Sequence, residues 1–533
     1  MDNRRLILLM VFLFSLFMLW DGWQKHNQPK PAVAAAADQS VPAAPANAPV
    51  PAAPGAVPVA PQGAVTAAPS TPSVEVKTDM VAAQISAQGG DLIHLELLKH
   101  AADEDKSKHF LLFDNGSEHT YLGQSGLVGE GQPNHKSVWT ILPGERELRD
   151  GQDSLTVELE ATTAAGAKVR KSYTFHRGSY LVDVAFQAPG APAGSYAYFQ
   201  ITRDGKVKSS GYMGASTFTG PALYTEKDKF QKATFEDIEK GKAKHADKAG
   251  DGWIAMVQHY FVSAWLPAAG PNREFYTRKI GNDLYSAGVV LPLDGGKISV
   301  PLYSGPQEQD KLKTIAPGLE LVVDYGWLTV IAAPLFWVLE VLHKLTGNWG
   351  WAIILLTVGI KAVFFPLSAA SYKSMAKMKL VTPKLQKLKE TYADDRARLN
   401  QEMMELYKRE KINPLGGCLP ILVQIPVFIA LYWSLLGAVE MRNAPWLFWI
   451  TDLSAKDPYY VLPLLMGVSM LIQTKLNPTP PDPVQAKVML FMPILFTGMF
   501  LFFPSGLVLY WTVNNILSIA QQWQISRAIE GAK

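Results

Sequence analysis

A lysine, Lys361, interrupts a run of apolar residues from Trp349 to Pro366 that is otherwise long enough to cross a bilayer. A charged side chain at the centre of a membrane costs roughly 2.5 to 3.5 kcal/mol on insertion scales, so such a charge usually marks a functional site. An ammonium group in this position can attract a carboxylate and keep water in the membrane. We therefore take Lys361 as the first candidate functional residue.

Other polar side chains are predicted near the depth of Lys361. Thr357 lies four residues earlier, on the same helical face. Gln424 belongs to an apolar run that returns through the membrane, and it lies about 10 to 12 Å from the cytoplasmic start of that run. Later runs contribute further candidate wall residues, namely Ser469, Gln473, Thr512, Asn514 and Asn515. Together they predict a water-containing pocket in the cytoplasmic half of the bilayer.

Two plainer interpretations remain open for these residues. Lys361 is only five residues before Pro366, so its side chain could instead extend to the inner headgroups. Any single polar companion could simply join two helices by a hydrogen bond. The number of polar companions favours the pocket.

The sequence has none of the common patterns for catalytic or cofactor sites. We find no Gly-rich phosphate loop and no convincing Ser-His-Asp order. None of the ten histidines stands at metal-ligand spacing from a cysteine or carboxylate, so neither a metal nor another cofactor is predicted. The single cysteine, Cys418, excludes an intrachain disulfide and is predicted to be a packed thiol. We expect a protein that is not an enzyme.

The first residues predict a membrane anchor. Arg4 and Arg5 precede an uncharged apolar segment, which places the N-terminus in the cytoplasm. The small residues at Ala34–Ala37 lie far beyond that segment, so we favour a retained span over residues 1–26 rather than a cleaved signal peptide. Residues 27–72 are rich in Ala and Pro, which is typical of an extended linker.

Residues 73–317 have the pattern of an exported all-β domain. Apolar and polar residues alternate at Ser154–Leu159, Lys171–Phe175, Tyr180–Phe186 and Tyr196–Thr202, which predicts half-buried strands. Gly-containing turns between such segments favour an antiparallel sandwich. Its scattered carboxylates are interpreted as solvated surface, with a catalytic pair of glycosidase type as the alternative.

The remainder predicts a polytopic α-helical membrane protein with six spans and a hydrophilic groove open to the cytoplasm. Residues 318–345 hold too short an uncharged stretch for a span and are predicted to form an amphipathic helix at the interface, because a crossing here would export the basic loop that follows. The other predicted segments are a second span (346–367), a cytoplasmic helical hairpin (368–415), a third span (416–438), a periplasmic loop (439–458), a fourth span (459–476), a cytoplasmic loop (477–487), a fifth span (488–503), a last span (504–525) and a short cytoplasmic tail (526–533).

The hairpin is basic, with eleven Lys or Arg against six Asp or Glu between Ser368 and Asn413, although the whole chain carries a formal charge of only +3. Apolar residues recur at helical spacing at Leu380, Leu385, Leu388, Tyr392, Leu399, Met403, Leu406 and Tyr407. The charges are either a solvated coiled-coil surface or a docking site for an anionic or RNA-bearing partner. For docking, the candidates are Lys377, Lys379, Lys384 and Lys387.

Several motifs resemble the YidC family of membrane protein insertases in its long Gram-negative form, over nearly the whole chain. The most specific stretch runs from Asn413 to Pro426 (NPLGGCLPILVQIP). Others are Ser374-Met-Ala-Lys-Met, Gln401-Glu-Met-Met, Asp457-Pro-Tyr-Tyr-Val-Leu-Pro463, Phe503-Pro-Ser-Gly-Leu-Val-Leu-Tyr510, Gly252–Phe261 and Val323-Asp-Tyr-Gly-Trp327.

The resemblance implies a bacterial inner-membrane protein with both termini in the cytoplasm and a periplasmic β-supersandwich. It implies a chaperone and insertase that acts alone or with the Sec translocon and its accessory subunits. Nascent inner-membrane proteins would be the substrates and lipid would surround the spans, while the ribosome or the signal recognition machinery could dock on the hairpin, without specific nucleic-acid recognition. The family's groove carries a basic residue, usually Arg, that corresponds to Lys361, and substrate-contacting aromatic residues correspond to Tyr510 and Trp511.

Two other functions are compatible with parts of the sequence. A polytopic small-solute transporter with an exported accessory domain fits the apolar runs, but the two halves of the span set show no inverted repeat. A membrane-anchored sugar enzyme is the second alternative, because supersandwich domains resemble sugar-binding folds.

Overall fold

The computed structural model describes residues 61, 71–102, 105–116, 119–206, 218–270, 272–392, 395–410, 419–477 and 483–530. All of them belong to one compact unit, Pro58–Lys208 with Thr217–Lys533. The predicted first span, nearly all of the linker and Cys418 lie outside the described residues.

The alternating segments form the strands of an antiparallel β domain. The strands are β1 Ser73–Lys77, β2 Val81–Ser86, β3 Leu92–Ala101, β4 His109–Asn115, β5 Thr120–Val128, β6 Thr140–Ile141, β7 Ser154–Thr162, β8 Lys168–His176, β9 Leu181–Gln187, β10 Tyr196–Asp204, β11 Gly220–Thr225, β12 Lys229–Lys232, β13 Lys248–Ala249, β14 Trp253–Val257, β15 Phe261–Trp265, β16 Arg273–Gly281, β17 Leu284–Pro292 and β18 Lys297–Pro306. The large all-β domain predicted from the alternation is thus confirmed.

Within the described residues, two nine-stranded sheets make up this domain. One has the order β1-β2-β3-β4-β5-β10-β17-β16-β13 and the other β12-β11-β14-β15-β18-β9-β8-β7-β6. In β7 the inward residues Leu155, Val157 and Leu159 are buried while their neighbours are largely exposed. One apolar core therefore lies between the two sheets.

The core also holds an ion pair. Lys171 on β8 and Asp91, just before β3, are both buried, with 3.8 Å between Nζ and Oδ1. Lys171 also donates to the carbonyls of Gly89 and Ser125, and Gln124 donates to Asp91. Burial raises the pKa of Asp91 to about 7, although Lys171 partly opposes the shift.

Ten helices are described, two of them in or directly after the β domain. They are α1 Phe235–Glu239, α2 Gln309–Ile315, α3 Thr329–Thr346, α4 Trp349–Val363, α5 Phe365–Thr391, α6 Arg396–Arg409, α7 Leu419–Gly437, α8 Val461–Leu476, α9 Pro483–Phe500 and α10 Ser505–Glu530. Two 3-10 turns, Leu319–Val322 and Gly326–Leu328, precede α3.

The local sequence explains how α4 is connected to α3 before it and to α5 after it. Gly347 ends α3 with a left-handed backbone, φ +66°, which glycine adopts without steric cost. Asn348 then caps α4 by accepting from the N–H groups of Gly350 and Trp351. At the other end, α4 and α5 meet at an angle of 67°, because Pro366 has no N–H and its ring clashes with the preceding turn.

By length and apolarity, one described helix, α3, could cross a membrane by itself, and α4 with α5 qualifies as a bent pair. Three shorter helices are also apolar, over Val423–Gly437, Val461–Leu476 and Ala486–Phe500. This criterion therefore identifies at most two spans among the described residues.

The helices α5 and α6 pack as a hairpin around Val381, Leu385 and Leu406. Asp395 begins α6 by accepting from the Arg398 N–H. Leu380, one of the apolar residues at helical spacing, lies outside this core and is 39% exposed. The inward face of α5 follows Met378, Val381, Leu385 and Leu388, and a residue one position from Val381 turns about 100° away from that face.

The loop after α7 contacts the β domain. Arg442 donates to the Ala101 carbonyl at the end of β3, and its guanidinium lies 5.1 Å from the ring of Phe110 and 5.5 Å from that of Phe261. Lys106 pairs with Asp452 at 3.1 Å. The β domain is therefore joined to the helical part by more than the covalent chain.

Candidate functional site: a buried lysine among apolar helices

Lys361 lies near the end of α4 with its side chain inside the helix bundle. It is 6% exposed, and its ammonium donates to the Ser518 hydroxyl on α10 at 2.6 Å. No carboxylate pairs with it in the part of the chain that the structure describes. The Ser518 hydroxyl donates in turn to the Asn514 carbonyl at 2.7 Å.

The register of two parallel helices brings Lys361 and Ser518 together. Near the first turns, Gly506 of α10 faces Ile353 of α4. Lys361 is then about 18 Å along α4 and Ser518 about 20 Å along α10, at 1.5 Å per residue. Sequence reasoning missed Ser518, because the contact between Gly506 and Ile353 that sets this register comes from the structure.

A second hydrogen bond joins the same stripe of α10 to a third helix. The amide of Gln424 on α7 donates to Asn514 Oδ1 at 2.5 Å. Asn514 thus accepts from Gln424 through its side chain and from Ser518 through its backbone. Of the residues predicted near Lys361, Gln424 and Asn514 are the two that its hydrogen-bond network reaches.

A cleft opens beside this network where α4 bends into α5. The space within it, including open solvent at its mouth, is about 280 Å³. Its lining residues are Ile360, Lys361, Phe364, Leu367, Ser368, Val423 and Gln424. The wall is thus mostly apolar, with a cation, an amide and a hydroxyl on it.

The aromatic residues of α10 pack on α7. Tyr510 is fully buried, and its ring centre lies 6.3 Å from that of Phe428. Trp511 meets Phe428 edge-on at 4.5 Å and lies 5.6 Å from Phe500 of α9. The two residues therefore fill the contact between α7 and α10 about one turn of α7 beyond Gln424.

The other predicted pocket residues are not part of this network. The Thr357 and Thr512 hydroxyls donate to carbonyls of their own helices, at Ile353 and Val508. Asn515 donates to Ser469 across α8 and α10, and Gln473 is half-buried one turn further along α8. The Asn515–Ser469 bond joins two helices away from Lys361.

The four lysines predicted for docking lie on one helix of the hairpin. Lys377, Lys379, Lys384 and Lys387 are all exposed on α5. Lys384 pairs with Glu410 at 2.7 Å. The hairpin therefore presents positive charge to solvent.

Comparisons with known proteins cover almost the whole chain. A family model described as "YidC periplasmic domain" matches residues 73–338, and one described as "60Kd inner membrane protein" matches residues 341–532. The membrane protein insertase YidC of Aromatoleum aromaticum is 61% identical over 544 residues, covering 100% of this chain and 99% of the relative. That of Dechloromonas aromatica is 58% identical, covering 99% and 98%.

Among solved structures, the chain is similar to an active YidC insertase with its first transmembrane domain resolved. The match has 18% identity and a TM-score of 0.43, and covers 86% of this chain and 93% of that one.

The full-length relatives decide between the functions that the sequence left open, in favour of the insertase over a transporter or a sugar enzyme. The protein lies in the inner membrane, has a periplasmic β domain, acts on membrane proteins and is not an enzyme. With this identity over its whole length, the chain belongs to the YidC family of membrane protein insertases.

Proposed function

We propose that this insertase receives newly made inner-membrane proteins in a hydrophilic groove built around Lys361. The observation that carries the proposal is the buried ammonium on the wall of a cleft, with a neutral hydroxyl as its acceptor. A cation in a low-dielectric setting attracts a carboxylate far more strongly than the same cation does in water. Acidic residues in a substrate's exported segment are thus given a transient partner partway across the membrane.

Release into lipid follows from the apolar part of the substrate. Burial of about 20 apolar residues in the bilayer favours insertion without a nucleotide. Because Tyr510 and Trp511 pack on Phe428, α7 and α10 must separate there for a substrate helix to pass between them. These two aromatic side chains then face the substrate.

We further propose six spans with both termini in the cytoplasm: the first over residues 1–26, then α4, α7, α8, α9 and α10. The exposed lysines of α5 support a cytoplasmic hairpin. In this topology α3 lies at the outer interface, although its length would allow a crossing. Val330, Trp337 and Leu345 are its most exposed apolar residues and would enter the headgroup region.

The proposed partners follow from this arrangement. Nascent membrane proteins would occupy the groove, alone or with the Sec translocon. The basic face of α5 would meet the ribosome or the signal recognition machinery, because clustered exposed cations attract polyanions without reading a base sequence.

Site-directed photocrosslinking tests the groove. A photoreactive residue is placed at Ser368, Gln424 or Tyr510, and at the exposed Leu464 of α8 as the control, in complexes with a stalled nascent membrane protein. We expect crosslinks from the first three positions and few from Leu464. Equal crosslinking at all four positions, or none in the groove, would show that the substrate takes another path.

A further inference from the structure

The hydroxyl of Ser518 is a fixed acceptor for the Lys361 ammonium. Its proton is used in the bond to the Asn514 carbonyl, so the oxygen lone pairs are left for the ammonium. Ser518 is 3% exposed, and its bonds to Lys361 and Asn514 are short, at 2.6 and 2.7 Å. The Tyr372 hydroxyl of α5 is a further hydrogen-bonding neighbour of Ser518. The donor and acceptor roles are therefore determined by the geometry.

Without this acceptor, the lysine has an alternative position. Its long side chain is close to the end of α4 and can extend toward the inner headgroups, as lysines near helix ends do. Within the described residues, Ser518 is the acceptor that the structure gives the ammonium. The hydroxyl thus holds the charge at the depth of the cleft.

A neutral hydroxyl is also a suitable acceptor if the Lys361 ammonium must exchange it for a substrate carboxylate. A carboxylate forms a charge-assisted bond with an ammonium, which is stronger than the bond to a hydroxyl. An incoming carboxylate can therefore replace Ser518, and Ser518 can take the ammonium back when the substrate leaves. A permanent carboxylate at this position would instead keep the Lys361 ammonium bound and unavailable to a substrate.

We infer that Ser518 is a positioning residue for insertion: it keeps the Lys361 ammonium at the cleft and gives it up to substrate carboxylates. The inference rests on the proposed role of the groove. It predicts that Ser518 affects substrates with acidic exported segments and acts only through Lys361.

The test uses two substrates that differ only in their exported tail, one acidic and one with Asn and Gln in the same places. The full-length protein is reconstituted in liposomes with S518A, S518T, S518D or the control S434A. Ser434 is equally buried, but its hydroxyl bonds to carbonyls, at Ala430 and Ala332. We expect S518A to lower insertion of the acidic tail about tenfold, the scale of one hydrogen bond to a charged group, and to leave the neutral tail nearly unchanged.

The other variants complete the test. S518T, which keeps the hydroxyl, and S434A should insert both tails normally. We expect the S518D protein to fold but to insert the acidic-tailed substrate poorly, because the new carboxylate pairs with the Lys361 ammonium. Should S518A not fold, S518D still decides, since normal insertion of the acidic tail by S518D overturns the inference.

A double variant separates this inference from the role of the groove. In a K361A background, S518A should cause no further loss. A full additional loss there would mean that Ser518 has a merely structural role and would overturn the inference. If K361A itself inserts the acidic tail normally, the proposed role of the groove fails; if K361A fails but S518A is normal, only the inference about Ser518 fails.

Discussion

At the level of single residues, the depth of a side chain could be predicted but its partner could not. Counting residues along the helices placed Lys361 and Gln424 at similar depth, and one network now includes both. The same-face argument for Thr357 did not extend to bonding, because a threonine hydroxyl in a helix readily bonds to the carbonyl four residues earlier. Ser518 was missed because its importance depends on the register of α4 against α10, which no local pattern reveals.

Replacing Lys361 by arginine tests what the site requires of the cation. K361R keeps the charge and adds a planar donor group that can bind a carboxylate through two hydrogen bonds. We expect insertion of acidic-tailed substrates equal to or above that of the unaltered protein in reconstituted liposomes. A loss as large as that of a neutral replacement such as K361M would mean that the shape of the lysine, rather than its charge, is required.

At the level of elements, the periodicity of apolar residues predicted strands and helices. It did not predict which face of a helix packs against its neighbour. Strands such as the one around Ser154–Leu159 could be predicted because burial of one face of the sheet makes apolar and polar residues alternate in the sequence. In the hairpin, the apolar residues of α5 allow two neighbouring inward faces, one with Leu380 and one with Val381. Packing against α6 selects the one with Val381.

A close contact between two apolar helices depends on Gly467. A Cβ there would lie 2.1 Å from the Thr497 hydroxyl, which is bonded to the Pro493 carbonyl. We expect G467L to force α8 and α9 apart and to destabilise the protein by about 2 kcal/mol or more, as overpacking does. Thermal unfolding in detergent measures this.

The matched control is G498A on α9, because a Cβ at Gly498 meets nothing within 4 Å. Its melting temperature should be unchanged or slightly raised. Equal melting temperatures for both variants would contradict the packing seen at Gly467.

The buried ion pair of the β domain makes stability depend on Asp91. Removing one partner of such a pair leaves an uncompensated charge, which costs about 3 to 5 kcal/mol. Burial disfavours the charged form of Asp91, so the neutral Asn of D91N removes that cost together with the pairing. D91N should therefore destabilise the β domain by clearly less than this at pH 7.5, and D91N with K171M should be about as stable as the unaltered protein. Urea unfolding of the full-length protein, followed by proteolysis of the β domain, gives the free energies.

The same pair predicts a pH dependence with a defined sign. Folding raises the pKa of Asp91 from its ordinary 3.8 to about 7, so between these values the folded state holds a proton that the unfolded state releases. The contribution of Asp91 to stability is full below about pH 4 and is lost as the pH rises to 7. D91N should lack this part of the slope; an unchanged slope would contradict the burial of a titrating Asp91.

For the whole molecule, the β domain and the helices are coupled through side chains that sequence alone could not pair. Arg442 and Ala101 are far apart in the chain, yet the guanidinium reaches the end of β3 and lies near the rings of Phe110 and Phe261. Lys106 reaches Asp452 and Asn443 in the same loop. Such contacts between distant segments depend on the complete fold.

Removing Arg442 tests how much the contacts between the loop after α7 and the β domain contribute to the rigidity of both. R442A removes the hydrogen bond to Ala101 and the contacts with the rings of Phe110, Tyr260 and Phe261, each worth about 1 kcal/mol. We expect faster hydrogen exchange in β3, β4 and the loop after α7, with the sheet interior unchanged. R442K, which keeps the charge, should give an intermediate effect, and exchange equal to that of the unaltered protein in R442A would mean that the junction is held elsewhere.

The most direct measurement for the whole account is insertion by K361A, reconstituted alone in liposomes, of a short membrane protein with an acidic exported tail. Because the buried cation is the only group proposed to draw that tail into the membrane, insertion should fall about tenfold or more, while a matched substrate with a neutral tail should be much less affected. Insertion of the acidic tail by K361A at the rate of the unaltered protein would contradict the central role of Lys361.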